Sequence, residues 1–186
     1  TYALMDERVP AAPAVPRDEA VARLALRYVR SHGPATVHDL AWWSGLTVGD
    51  ARAGIEAARA DLVSETVGRA AYWLAAPAGP ATLDRPVVHL LPNYDEHVVA
   101  YRDHGPTVDP AIRGTTIQRG NALDLHLVAR DGLVVGGWRR SVTAREATVE
   151  TALLVDLTGP ERGALAAAAD AYGRALGVPV AVRERG

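Results

Sequence analysis

Apolar residues recur early in the chain with the period of a helix. Val21, Leu24, Ala25, Tyr28 and Val29 fall at i, i+3, i+4, i+7 and i+8, so they share one side, while Arg23, Arg27 and Arg30 fall on another. Asp18 is placed to cap this helix and Gly33-Pro34 to stop it. Thr36, with Asp39 three residues on, reads as a capping-box-like pair that opens a second helix. That helix directs Leu40 and Trp43 to the core and ends at Gly45. Thr47 and Asp50 repeat the device for a third helix. It buries Ala51, Ile55, Ala58 and Leu62 and turns Arg52, Glu56 and Arg59 outward. The pattern then becomes alternating over Leu62 to Val67 and Ala71 to Leu74, on either side of Gly68-Arg69, which predicts a hairpin. Three short helices with a tight turn between the second and third, followed by a two-stranded wing, describe a winged helix-turn-helix.

The remainder reads as β-rich. The apolar run "VVHLL" predicts a strand buried on both faces. In "ALDLHLVARDGLVVGGWRR", Leu123, Leu125 and Leu127 alternate with polar residues and Asp131-Gly132 supplies the tight turn of a hairpin. "TVETALLVDL" predicts another strand. Pro160 suits the first turn of a final helix, lined by Leu165, Ala169, Tyr172 and Leu176 and stopped by Gly177, before "VPVAV" closes the sheet. "PAAPAVP" and "APAGPATLDRP" read as linkers. The predicted fold class is therefore α+β. Residues 1–16 form an entry strand and Pro-rich linker, 17–76 a winged helix-turn-helix, 77–86 a linker, and 87–186 a β-rich, barrel-like domain with one helix.

Composition narrows the chemistry. Of 186 residues, 48% are hydrophobic and 23% charged, which suits a globular protein of one or two small domains. With no cysteine there is no disulfide and no thiolate nucleophile, in keeping with a reducing cytoplasm. No apolar run approaches the ~20 residues that cross a bilayer, and no signal peptide is visible. The chain opens at Thr1 in a segment that reads as mid-protein, so it is expected to be the C-terminal part of something longer. All 20 basic residues are Arg, which fits a GC-rich coding bias. The net charge of −2 lacks the basic excess of a dedicated DNA binder and leaves only a local Arg patch for that role.

Several stretches carry candidate chemistry, each beside a plainer reading. The third helix of a helix-turn-helix enters the major groove. Here its outward Arg52, Glu56 and Arg59 are flanked by Asp50 and Asp61, a nearly neutral face, and the wing adds only Arg69. The same domain also suits a packing module. Trp42 and Trp43, adjacent and so differently directed, read as one core residue and one domain contact, with base stacking as the alternative. "HLLPNYDEHVVAYRDH" gathers His89, Asp95, Glu96, His97, Asp103 and His104. These types suit acid–base or metal chemistry, but no zinc-like spacing appears, and Asp95 suits a turn cap. In "GGWRR", Arg139 and Arg140 beside Trp138 suit a phosphate clamp or base stacking. The plainer reading is a solvated strand end with Trp138 in the core. No Gly-rich phosphate loop, nucleophile elbow or HExxH occurs.

In that order, "HGPATVHDLAWWSGL", "LLPNYDEHVVAYRDH" and "GLVVGGWRR" resemble winged-helix proteins of the AlkZ/YcaQ type, and the likeness runs over nearly the whole chain. These are DNA glycosylases and uncharacterised relatives, mostly bacterial. The resemblance implies a larger protein with tandem winged helices and a C-terminal barrel-like domain. It implies excision of alkylated bases, including unhooking of interstrand crosslinks, without a metal or other cofactor. The family's catalytic Gln-x-Gln lies near the N-terminus of the full protein. This chain has a single glutamine, Gln118, so that motif is not here, and its role passes neither to Gln118 nor to Asp95. Relatives often carry an aromatic where this chain has His97, which implies a packing position.

The resemblance thus implies a DNA-handling fragment with no catalytic residue and no metal site of its own. Its partner is double-stranded DNA, held as a monomer with the missing N-terminal domains through phosphate contacts. The expected contacts are Arg52, Arg59, Arg69, Arg139 and Arg140. A non-catalytic winged-helix binder or regulator is the alternative, and a metal-dependent hydrolase built on the His/Asp cluster is a third reading.

Overall fold

The computed structural model describes residues 4–9, 13–77, 83–114 and 126–185. The chain divides into two compact units, Thr1–Ala78 and Gly79–Gly186.

The first unit contains α1 (Met5–Arg8), α2 (Arg17–His32), α3 (Val37–Ser44), α4 (Val48–Ala57), a 3-10 turn (Arg59–Asp61), β1 (Leu62–Val67) and β2 (Ala70–Ala75). Where the pattern predicts an entry strand, α1 makes a single helical turn. Asp18 is not the cap of α2: the helix opens at Arg17 after Pro16, whose fixed φ already suits a helix start, and no side chain caps it. The apolar stripe buries Ala25, Tyr28 and Val29; Leu40 of α3 and Ala51 and Ile55 of α4 are buried as well, where α4 packs against α2 and α3. Gly54 lets α4 approach α2, since a Cβ there would stand 2.8 Å from Val21 Cγ1 and 2.9 Å from the Val21 carbonyl. β1 and β2 pair antiparallel through a turn with Gly68 at φ 62°.

The second unit contains β3 (Val88–Leu91), α5 (Glu96–Val99), β4 (His126–Arg130), β5 (Leu133–Val142), β6 (Ala147–Leu153), α6 (Gly159–Leu176) and β7 (Val180–Glu184). Its sheet runs β3-β4-β5-β6-β7. The first four strands are antiparallel, and β7 lies parallel to β6, with α6 as the crossover that parallel pairing requires. The β4–β5 hairpin turns through Asp131 (φ 49°) and Gly132 (φ 83°), as the Asp-Gly signal predicts. Alternation, interrupted by a bulge where Val135 is the extra residue opposite Val128 and Ala129, leaves Val128, Val135, Trp138 and Val149 on one face, under Leu165 and Ala169 of α6. Leu127 and Val134 go to the other, against Val98, Val108 and Ile112.

Two expectations are corrected. Among the described residues the sheet does not close into a barrel: β3 and β7 stand at its two ends, and α6 packs on one face. "VVHLL" pairs on one side only among the described residues, with His89 exposed and Leu90 and Leu91 half-buried, so the run is only partly covered and not buried on both faces. Leu123, Leu125, Gln118 and residues 78–82 of the second linker lie outside the described residues.

At the start of α6, the Thr158 amide and hydroxyl donate to one Glu161 carboxylate oxygen at 2.6 and 2.8 Å. Arg130 of β4 bonds Asp109 at 2.6 Å and reaches Glu161 at 3.3 Å, tying the strand both to the turn before Ile112 and to the helix start. The Thr158 bonds, with Arg130 adding to them, hold the Glu161 carboxyl below the usual carboxylate range against the opposing effect of burial.

Candidate nucleic-acid interface

The capping signals set the geometry of the first unit. Thr36 accepts from the Asp39 amide at 3.2 Å while its own amide donates to the Asp39 carboxylate at 2.8 Å, a complete capping box that fixes where α3 begins. Gly45 ends α3 at φ 73°, a left-handed conformation that glycine adopts without strain. Thr47 accepts from the Asp50 amide at 3.1 Å and so fixes the start of α4. Here only half of the box forms, because the Asp50 carboxylate is turned to Arg17 and the Thr47 hydroxyl.

Between the start of α3, the outer side of α4 and the hairpin lies a cleft of about 360 Å³. Its apolar lining includes Ile55, Ala70, Ala71 and Trp73, and its polar residues include His38, Arg52, Glu56 and Arg69.

The charges around it are unevenly paired. Asp50 takes Arg17 at 3.0 Å, Asp61 takes Arg30 at 3.3 Å, and both oxygens of Glu56 take Arg59 Nη1 at 3.1 Å. Arg23 pairs with Glu19. Arg52, Arg69 and His38 have no ion pair or side-chain hydrogen bond among the described residues. A count along α4 gives a nearly neutral face. The structure corrects it, because the flanking acids are neutralised by arginines from elsewhere and two arginines remain unpaired at one cleft. Arg17 and then the Thr47 hydroxyl hold the Asp50 carboxyl below the usual range.

A family model described as "AlkZ-like: DNA glycosylase AlkZ-like" matches residues 1–175. The chain belongs to the AlkZ-like DNA glycosylase family. A solved structure, Streptomyces sahachiroi DNA glycosylase AlkZ, is similar with a TM-score of 0.69 at 21% identity, over 96% of this chain and 50% of that one. At that identity the likeness speaks for the fold, and the chain spans about half the length of this relative. No curated protein matches the chain.

In this AlkZ-like chain three of the five arginines belong to the first unit and two to the second. Arg52 and Arg69 share the cleft. Arg59 is not on α4 but in the turn after it, where it holds Glu56 and lies 5.6 Å over the Trp73 ring. Arg139 and Arg140 do not form a clamp, because adjacent strand residues point to opposite faces of the sheet. Arg140 lies on the α6 side and donates to the Tyr172 hydroxyl at 3.4 Å. Trp138 is 6% exposed and packs edge-on against His126 and Tyr172, so it is a core residue.

The tryptophan pair differs from the core-plus-contact reading. Trp42 is 54% exposed, and Trp43, at 37%, lies against the rings of Tyr28 and His32 at the surface. α3 buries Leu40 completely and leaves both tryptophans, two and three residues further on, partly exposed. In the polar stretch Asp95 and His97 make contacts that shape the fold. Asp95 caps α5 by accepting from the His97 amide at 2.9 Å, and His97 Nε2 bonds the Gly132 carbonyl at 2.8 Å, pinning the tip of the β4–β5 hairpin. Among the described residues no three His, Asp or Glu side chains converge as a metal site would need, and no helix is long and apolar enough to cross a membrane.

His38 is the cleft residue that sequence reasoning misses. It is one polar position on a short helix, and no periodicity singles it out. The Arg130 network escapes for a similar reason, since its partners lie 21 and 31 residues away in sequence (130 − 109 and 161 − 130).

Proposed function

We infer that this chain is the DNA-holding part of a longer AlkZ-like glycosylase, with the base-excising glutamine pair outside it. The three helices and hairpin of the first unit then act as a winged helix. α4 is presented to the groove of a duplex, and the hairpin with Gly68-Arg69 lies along its backbone. The observation that carries this reading is the cleft at which Arg52 and Arg69 have no ion pair among the described residues while Asp50, Glu56 and Asp61 are neutralised by other arginines. Family membership supplies the chemistry: hydrolysis of the bond between an alkylated base and its sugar. Alkylation makes a purine cationic and so a better leaving group, which places the demand on holding and shaping the duplex. Arg139 and Arg140, on opposite faces of β5, enter this proposal as separate contacts, at most one of which faces a given duplex.

The test is release of free base from a duplex carrying an alkylated purine by the intact protein. The reading expects release that vanishes when the upstream glutamines are replaced, and duplex binding without release by these 186 residues alone. Duplex binding without release by the intact protein would favour a non-catalytic binder instead.

A further inference from the structure

The following rests on the duplex-holding reading and goes further into the same cleft. We propose that the cleft seats a single sugar–phosphate unit of one DNA strand, held by Arg52 and Arg69 with His38 beside them. Arg59 serves as a positioning residue that disarms Glu56.

The shape comes first. About 360 Å³ is more room than a bare ion uses and lies at the lower end of organic-ligand sites. Its lining is apolar at Ile55, Ala70, Ala71 and Trp73, which suits the sugar carbons. The donors come next. Two guanidinium groups without an acidic partner among the described residues offer forked N–H donors that match phosphate oxygens, and the His38 ring adds an N–H.

Glu56 is the difficulty, since it lines the same cleft and an unshielded carboxylate there repels a phosphate. Arg59 resolves it. One guanidinium nitrogen bridges both Glu56 oxygens at 3.1 Å, and the group lies over Trp73. Arg59 itself is not among the residues lining the cleft. In this proposal Arg59 therefore pairs with Glu56 and makes no direct phosphate contact.

The experiment measures binding of the 186-residue chain to a short labelled duplex by fluorescence anisotropy over a range of salt, with thermal unfolding of each variant as the folding check. Each direct phosphate contact steepens the salt dependence, so R52A and R69A are each expected to lower the log–log slope by about one. R59A is expected to weaken binding on the order of two- to fivefold, the scale of one exposed charge interaction, with the slope unchanged. Adding E56Q to R59A is expected to restore wild-type affinity. E56Q alone, which leaves Arg59 in place, is expected to bind as well as wild type or better, and it decides the matter if R59A does not fold.

An R59A loss that lowers the slope by about one and is not rescued by E56Q would overturn the positioning role. Weakened binding by E56Q alone would do the same. Unchanged slopes in R52A and R69A would remove the seat while leaving duplex holding by another surface intact. No salt-dependent binding by the wild-type chain would remove both.

Discussion

Arg17 and Asp50 meet in a two-pronged ion pair, each guanidinium nitrogen 3.0 Å from its own carboxylate oxygen, across 33 positions of sequence. The pair joins the first turn of α2 to the first turn of α4 and leaves Asp50 unable to complete a capping box with Thr47. It also cancels the acid that would otherwise stand closest to the start of α4.

Arg17→Ala is expected to raise the Asp50 pKa toward its ordinary value, incompletely, because the Thr47 hydroxyl still donates to it. Folding depresses this pKa. The stabilisation from Asp50 is therefore present above the unfolded value near 3.8 and is lost as pH falls through the lower folded value. Titration of the Asp50 carboxyl carbon by NMR in both proteins checks the shift. The variant should also lose less stability than wild type across that acid window.

Glu161 gives a second pH dependence in the other unit. The Thr158 amide and hydroxyl, with Arg130, favour its charged form in the folded state. It therefore stabilises at neutral pH, and that contribution disappears as pH falls from about 4.5 through the depressed folded value. Glu161→Gln is expected to lower the melting temperature at neutral pH and to flatten its fall below pH 4.5, as measured by calorimetry across that range.

Gly136 lies where β5 passes β6 too closely for a side chain. A Cβ there would stand 2.4 Å from the Ala152 carbonyl oxygen and 2.9 Å from Leu153 Cα, both backbone atoms. Gly136→Ala is expected to cost about 1–3 kcal/mol by overpacking. Gly137→Ala, where the nearest atom is the His126 carbonyl at 3.3 Å, should cost clearly less. Denaturant unfolding of the pair of variants checks the difference.

The sequence carries local structure well and pairing poorly. Thr36 with Asp39, Gly45, Asp131-Gly132 and Pro160 mark element ends because caps and turns are set by residues a few positions apart. Burial of Ala51 and Ile55 follows from helical periodicity; Ala58 and Leu62 are buried too, but as the C-cap of α4 and the first residue of β1, not on the helix that the pattern extends to them. What periodicity does not hold is which charge meets which. Asp50 with Arg17, Asp61 with Arg30 and Arg130 with Asp109 are tertiary pairs, so the charge of the α4 face is invisible in its own sequence. The strand order of the second sheet is illegible for the same reason. A parallel β6–β7 pairing across α6 and a final strand that simply closes a sheet have the same local pattern.

The most direct test of the account is amide hydrogen exchange of this chain with and without duplex DNA. The account predicts slowed exchange at the start of α3, along the Arg52–Glu56 side of α4 and at the hairpin turn around Gly68-Arg69. No change in the first unit, or protection confined to residues 87–186, would contradict it.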